Sequence, residues 1–160
     1  MGCPSDYASG HPLHFKVIIS FGVVPTPSME PTIHSGSLYV ATRYTKPENF
    51  NRGDIILFNH FDSTYVKRVI GLPGDTVSFE DGNVYINGKR YEEDYLPAGT
   101  ITDSTEGEYT VPEDCFFVLG DNRLYSYDSR LWEDPFVHYD DVEARGVWFV
   151  NIPWWSGRTE

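Results

Sequence analysis

Short apolar runs separated by turn residues dominate the chain, and no stretch sustains the spacing of an amphipathic helix. The runs predict strands over Phe15–Val24, Leu38–Thr42, Ile55–Asn59, Tyr65–Ile70, Thr76–Glu80, Asn83–Ile86, Phe116–Leu119 and Gly146–Val150. Asp-Gly within "EDGN" (80–83) and Asn-Gly within "INGKR" (86–90) predict tight hairpins, because both central residues of such a turn take positive φ. Residues 92–108 are polar and acidic and read as a long surface loop, and "SRLWEDP" (129–135) reads as a helical turn or a loop. The pattern predicts an all-β domain, an antiparallel sheet folded over into a barrel-like core. The run Phe15–Val24 is about half the length a membrane span needs and carries Lys16, so it reads as a strand. Residues 1–14 read as a flexible leader or a cloning remnant.

Composition narrows the function classes. A chain of 160 residues suits one domain with a real core, and 40% apolar content argues against disorder. A net charge of −12 argues against a nucleic-acid partner, since phosphate binding needs a basic surface. Two cysteines, Cys3 and Cys115, are too few for a disulfide framework or a zinc cluster. Cys115 reads as a small buried hydrophobe before "FFVLG". No metal or cofactor constellation is visible. The aromatic end "WFVNIPWW" (148–155) divides in two: Trp148 and Phe149 read as strand residues packed in the core. For Trp154 and Trp155, after Pro153, membrane contact and packing stay equally open.

Three stretches could carry chemistry. In "TPSMEPT" (26–32) Ser28 sits between Pro27 and Pro31, which stiffen the backbone around one hydroxyl. Serine alone is a weak nucleophile and needs a base. None of the five histidines lies in a triad context, and there is no GxSxG elbow. A lysine made neutral by burial is the other option. Lys67, in "TYVKRVIGLPGD" (64–75), lies inside an apolar strand whose alternation puts Tyr65, Lys67 and Val69 on one face and Val66, Arg68 and Ile70 on the other. Taken singly, an edge lysine that deters aggregation and a turn serine are the better explanations of these two positions. The third stretch, "LGDNRLYSYDSR" (119–130), follows an apolar strand with a dense set of charges and hydroxyls, which by itself reads as a solvated loop.

Together, "SMEPT", "KRVIGLPGD" and "GDNRxxSxDSR" in this order resemble type I signal peptidases, membrane-bound serine proteases with a Ser/Lys dyad, over about residues 15–150. The resemblance implies that Ser28 is the acylating nucleophile, Lys67 its general base and Ser126 the hydroxyl that orients the lysine amine. It implies an oxyanion site made by the Ser28 N–H and the Thr26 hydroxyl. Pro27 stands where many relatives carry Gly. Val24, Met29, Tyr65 and Val66 match positions lining the pockets for small residues at −1 and −3 of a signal peptide, with Phe15–Val24 flanking the groove. Arg68 with Asp121, and Asp128 with Arg130, match structural ion pairs. The implied organisation is a catalytic domain over 15–160 with a short β insertion at about 76–115. The short insertion and Glu30 are closer to Gram-positive members. The implied partners are secretory preproteins and a membrane lipid surface, with no nucleic acid. The implied place is the extracytoplasmic face of the plasma membrane, the anchor lying outside this chain. Competing readings are a specialised member that processes pilins or serves pilus assembly, hinted at by Pro27, and a non-catalytic, chaperone-like peptide binder, disfavoured by intact Ser28, Lys67 and Ser126. A self-cleaving repressor-type protease also shares the dyad but lacks the third block.

Overall fold

The computed structural model describes residues 18–43, 49–103 and 107–151. Eleven strands follow one another: β1 (Ile18–Val23), β2 (Leu38–Arg43), β3 (Ile55–His60), β4 (Ser63–Gly71), β5 (Thr76–Glu80), β6 (Asn83–Ile86), β7 (Lys89–Arg90), β8 (Glu108–Thr110), β9 (Cys115–Leu119), β10 (Phe136–His138) and β11 (Val142–Val150). Two single-turn 3-10 segments, Pro27–Met29 and Tyr139–Asp141, lie wholly within the described residues. A seven-stranded sheet runs β1-β2-β11-β3-β4-β9-β10, and a four-stranded sheet runs β7-β6-β5-β8. Every pairing is antiparallel, so the all-β expectation holds.

The core explains why "CFFVL" is a continuous apolar run. In β9, Cys115, Phe117 and Leu119 face one cluster with Ile70, Val77, Val84, Ile86 and Tyr109, which joins the two sheets. Phe116 and Val118 face the opposite cluster with Phe58, Val69, Trp132 and Val137. Both faces of this strand are covered, so alternation with polar residues would bury unpaired groups. The same period-2 logic sends Tyr65 and Val69 of β4 toward the second cluster. A third, smaller cluster of Val24, Met29 and Ile33 lies under Tyr39, Ile55, Val66 and Phe149.

Both hairpin signals are turns of the expected kind: Asp81 and Gly82 have φ of 49° and 74°, and Asn87 and Gly88 have 51° and 74°. Three strands depart from the sequence reading. β7, β8 and β10 are only two or three residues long, and each of the last two buries a single side chain, Tyr109 and Val137, so none carries a hydrophobic pattern long enough to read. Strand β11 also begins four residues before the predicted Gly146, with Ala144 its buried contact. The 92–108 stretch, over its described part, is tied down by side chains, as set out below. Trp148 corrects another expectation: it is 71% exposed, whereas Phe149 packs inward on the third cluster. Cys115 is buried, with Sγ 3.3 Å from His138 Nδ1. Cys3, Trp154 and Trp155 lie outside the described residues.

Candidate active site

Pro27 opens the 3-10 turn Pro27–Met29, its φ already set for a helical first position. Thr26 before it is extended, and the Glu30 N–H closes the turn on the Pro27 carbonyl at 3.1 Å. The stiff "TPSMEPT" stretch therefore presents one residue, Ser28, at the crown of a one-turn helix. The loop after β9 grips this turn. Asn122 donates from its backbone N–H to the Ser28 carbonyl at 3.0 Å and from Nδ2 to the Pro27 carbonyl at 3.1 Å.

Lys67 reaches the same point from the middle of β4. Its Nζ is 2.7 Å from Ser28 Oγ. The ammonium donates in this contact, and in the neutral amine the hydroxyl donates to nitrogen. Thr26 Oγ1 is 3.2 Å from Ser28 Oγ, and either hydroxyl can donate. Lys67 is 3% exposed and Ser28 8%. Burial pushes the Lys67 ammonium down from its ordinary range to about 8, against the pull of the Asp128 and Asp121 carboxylates. The Tyr65 ring centroid is 5.7 Å from Nζ.

The surrounding charges are paired. Arg68 gives a two-pronged contact to Asp121, Nε to Oδ1 at 2.9 Å and Nη2 to Oδ2 at 2.6 Å, and donates to the Gly53 carbonyl. Arg130 does the same to Asp128, Nε at 2.8 Å and Nη2 at 2.9 Å. Asp128 also accepts the Gly120 N–H at 3.0 Å. Such forked, charge-assisted contacts hold the loop rigidly beside Ser28 and Lys67.

Two placements differ from what the resemblance implies. Ser126 is buried but does not hydrogen-bond Lys67; its Oγ makes no hydrogen bond. It is turned toward Gly120, where an added Cβ would lie 2.1 Å from Ser126 Oγ and 2.4 Å from the Ser28 carbonyl oxygen. Val24 and Met29 are enclosed with Ile33 in the third core cluster, so of the four candidate pocket residues only Tyr65 and Val66 keep partial exposure. Residues 15–17 of the groove-flanking stretch lie outside the described residues.

Sequence reasoning gave no role to Asn122, Gly120, Arg123, Glu93 or Tyr95, all of which shape this region. Asn122, Gly120 and Arg123 sit in the dense third block, which was the available signal. Glu93 and Tyr95 sit in an acidic loop with no pattern at all. Among the described residues no group of three or more His, Cys, Asp or Glu side chains is placed to hold a metal ion. The geometry instead joins the Ser28 hydroxyl, a lysine amine whose proton affinity burial lowers, and the Thr26 hydroxyl at one point. That set can perform acyl transfer.

Comparison with known proteins gives the same direction. Residues 13–154 match the family described as signal peptidase, peptidase S26. The chain is 44% identical to a signal peptidase I of Bacillus amyloliquefaciens over 118 residues, covering 68% of this chain and 63% of that protein. It is 40% identical to a probable signal peptidase I-2 of Synechocystis over 143 residues, 81% of this chain and 62% of that protein. It is 40% identical to a signal peptidase I of Bacillus caldolyticus over 152 residues, 86% of this chain and 80% of that protein. The crystal structure of a signal peptidase I from Enterococcus faecalis superposes with a TM-score of 0.50 at 36% identity, over 60% of this chain and 95% of that one. The chain thus spans slightly less than two thirds of the length of the first two of these relatives.

Proposed function

The chain belongs to the signal peptidase family, peptidase S26, and from that premise we propose that it is a serine endopeptidase that removes signal peptides from exported preproteins, with Ser28 as nucleophile and Lys67 as general base. The carrying observation is the 2.7 Å contact between Lys67 Nζ and Ser28 Oγ in a buried setting.

The steps follow from the atoms present. Neutral Lys67 takes the Ser28 proton as Oγ attacks the scissile carbonyl carbon. The oxyanion is held by the Ser28 N–H, with Thr26 Oγ1 beside the nucleophile as the second donor. Collapse breaks the C–N bond, and the Lys67 ammonium gives its proton to the leaving amine. Lys67 then deprotonates a water that attacks the ester and frees Ser28. Ser126 serves as a supporting hydroxyl whose side chain must turn from Gly120 to meet the lysine. Tyr65 and Val66 are the accessible candidates for the small-residue pockets. Residues 15–160 form the catalytic domain, and the 76–115 segment, with its separate four-stranded sheet, forms the insertion.

We further infer contact with a lipid surface. No helix among the described residues is long and apolar enough to cross a membrane. The outer face of β1, β2 and β11 is nevertheless apolar in register: Phe21 pairs with Val40 and Val40 with Trp148, while Val23 pairs with Leu38 and Leu38 with Val150. Phe21 is 83% exposed, and Ile19, Val23, Leu38, Trp148 and Val150 are exposed too. A continuous apolar sheet face with Trp and Phe at its crest suits the bilayer interface, where a preprotein's signal segment resides.

The test of the activity is turnover of a synthetic signal-peptide substrate. The parent is expected to cleave after a small residue, and Ser28→Ala and Lys67→Ala to be inactive yet folded. Near-parental turnover by either variant would remove the dyad.

A further inference from the structure

The loop that leaves β7 carries three side chains that reach across from the small sheet to the nucleophile's neighbourhood. Arg123 is the residue they meet. Its side chain is wholly buried, and all its donors are used within the protein. Nη1 and Nη2 donate to Glu93 Oε2 and Oε1 at 2.9 and 2.6 Å, Nη1 also donates to Thr102 Oγ1 at 2.5 Å, and Nε donates to the Gly120 carbonyl at 3.0 Å. Glu93 therefore neutralises a guanidinium whose remaining arm fixes the backbone of Gly120. Gly120 is the point of tightest approach to the site, its Cα direction crowded by Ser126 Oγ and the Ser28 carbonyl oxygen. The next two residues, Asp121 and Asn122, hold Arg68 and the Ser28 turn.

A second contact runs in parallel. Tyr95 hydrogen-bonds Glu93 through its hydroxyl, and its ring lies 3.9 Å from the Arg68 guanidinium carbon. Arg130 adds a third tie, donating from Nη1 to the Asp103 carbonyl and from Nη2 to the Arg123 carbonyl. A solvated acidic loop would make none of these contacts.

We propose that Glu93 is a positioning residue for the Ser28/Lys67 site: through Arg123 and Gly120 it fixes the distance between the loop after β9 and the nucleophile turn. The inference rests on the dyad reading above, and it assigns a mechanistic part to the inserted small-sheet segment. Removing the Glu93 charge leaves Arg123 buried without a carboxylate, and the guanidinium then moves toward water and releases the Gly120 carbonyl. A displacement of the reacting groups by less than an ångström lowers the rate while leaving distant peptide contacts unchanged.

The experiment compares the parent with Glu93→Gln and with the neutral pair Glu93→Gln/Arg123→Gln, which removes both buried charges together. Both are expected to be folded by circular dichroism. Both are expected to lose roughly tenfold to a hundredfold in kcat on a signal-peptide substrate, with KM within about twofold of the parent. A second readout needs no turnover: the titration of Lys67 followed by NMR of its side chain. Loosening the site admits water, so the Lys67 midpoint is expected to rise toward the ordinary lysine range in both variants. Parental kcat, or a loss confined to KM, would overturn the positioning role, as would failure of both variants to fold, which would make the pair a folding element only. If the parent itself cleaves nothing, the dyad reading falls and the Lys67 titration alone decides this inference: an unchanged midpoint overturns it.

Discussion

At the scale of single residues, Lys67 is a cation buried at an energetic cost. Its ammonium is pushed down to about 8 mainly by burial. Between that value and the unfolded lysine's value of about 10.4, the unfolded chain holds a proton that the folded chain does not, so this group's contribution to stability rises with pH across that window. Below it, at neutral pH, the buried cation costs on the order of 3 kcal/mol. Lys67→Met is therefore expected to abolish cleavage and raise stability by about 1–3 kcal/mol at pH 7, read by urea unfolding. A variant less stable than the parent would show that the lysine is held by favourable contacts and not strained by burial. Neither Ser28 nor Lys67 was legible as a pair from spacing, because they lie 39 residues apart and each has a commonplace explanation alone. Only the three blocks read together joined them. The direction of the Ser126 side chain, toward Gly120, was not legible at all, because nothing local in the sequence sets it.

Strands and turns place those residues. Strand β4 carries Lys67 and Arg68 side by side on opposite faces, and β9 ends so that Asp121 meets Arg68. Asp121→Ala would leave a buried guanidinium without its carboxylate, and is expected to cost about 3–5 kcal/mol in denaturant unfolding. A cost under about 1 kcal/mol would mean that water or the Tyr95 ring compensates. Gly120→Ala is a steric test of the same junction. The added methyl meets a backbone oxygen at 2.4 Å, so the nucleophile turn must shift, and kcat is expected to fall about a hundredfold. Period-2 patterning and the Asp-Gly and Asn-Gly turns made eight strands and two hairpins readable in advance. Strands β7, β8 and β10 escaped because two or three residues, with at most one of them buried, are too few to carry a periodic signal. The loop contacts of Glu93 and Tyr95 escaped because partners thirty residues away leave no local trace.

At the scale of the whole molecule, the seven-stranded sheet is covered on both faces around β9 but carries an exposed apolar outer face over β1-β2-β11 at its other end. Trp148 was expected in the core because a Trp in a strand usually packs; its cross-strand partner Val40 belongs to the outward face, and that sets its direction. Phe21→Ser/Trp148→Ser is expected to weaken sedimentation with liposomes severalfold while leaving cleavage of a short soluble substrate unchanged. Equal lipid binding by variant and parent would assign the patch elsewhere. The same sheet encloses Lys67, and that enclosure lowers its proton affinity, as the proposed role of base near neutral pH requires. The most direct measurement is the pH dependence of kcat/KM for the parent enzyme on a signal-peptide substrate. Because the proton on Lys67 blocks the base, the rate is expected to climb with pH through a midpoint near 8. The same rising limb is expected when all five histidines are replaced. A plateau reached through a midpoint near the histidine value of about 6.5, or a limb that vanishes with the histidines, would contradict the Ser28/Lys67 mechanism.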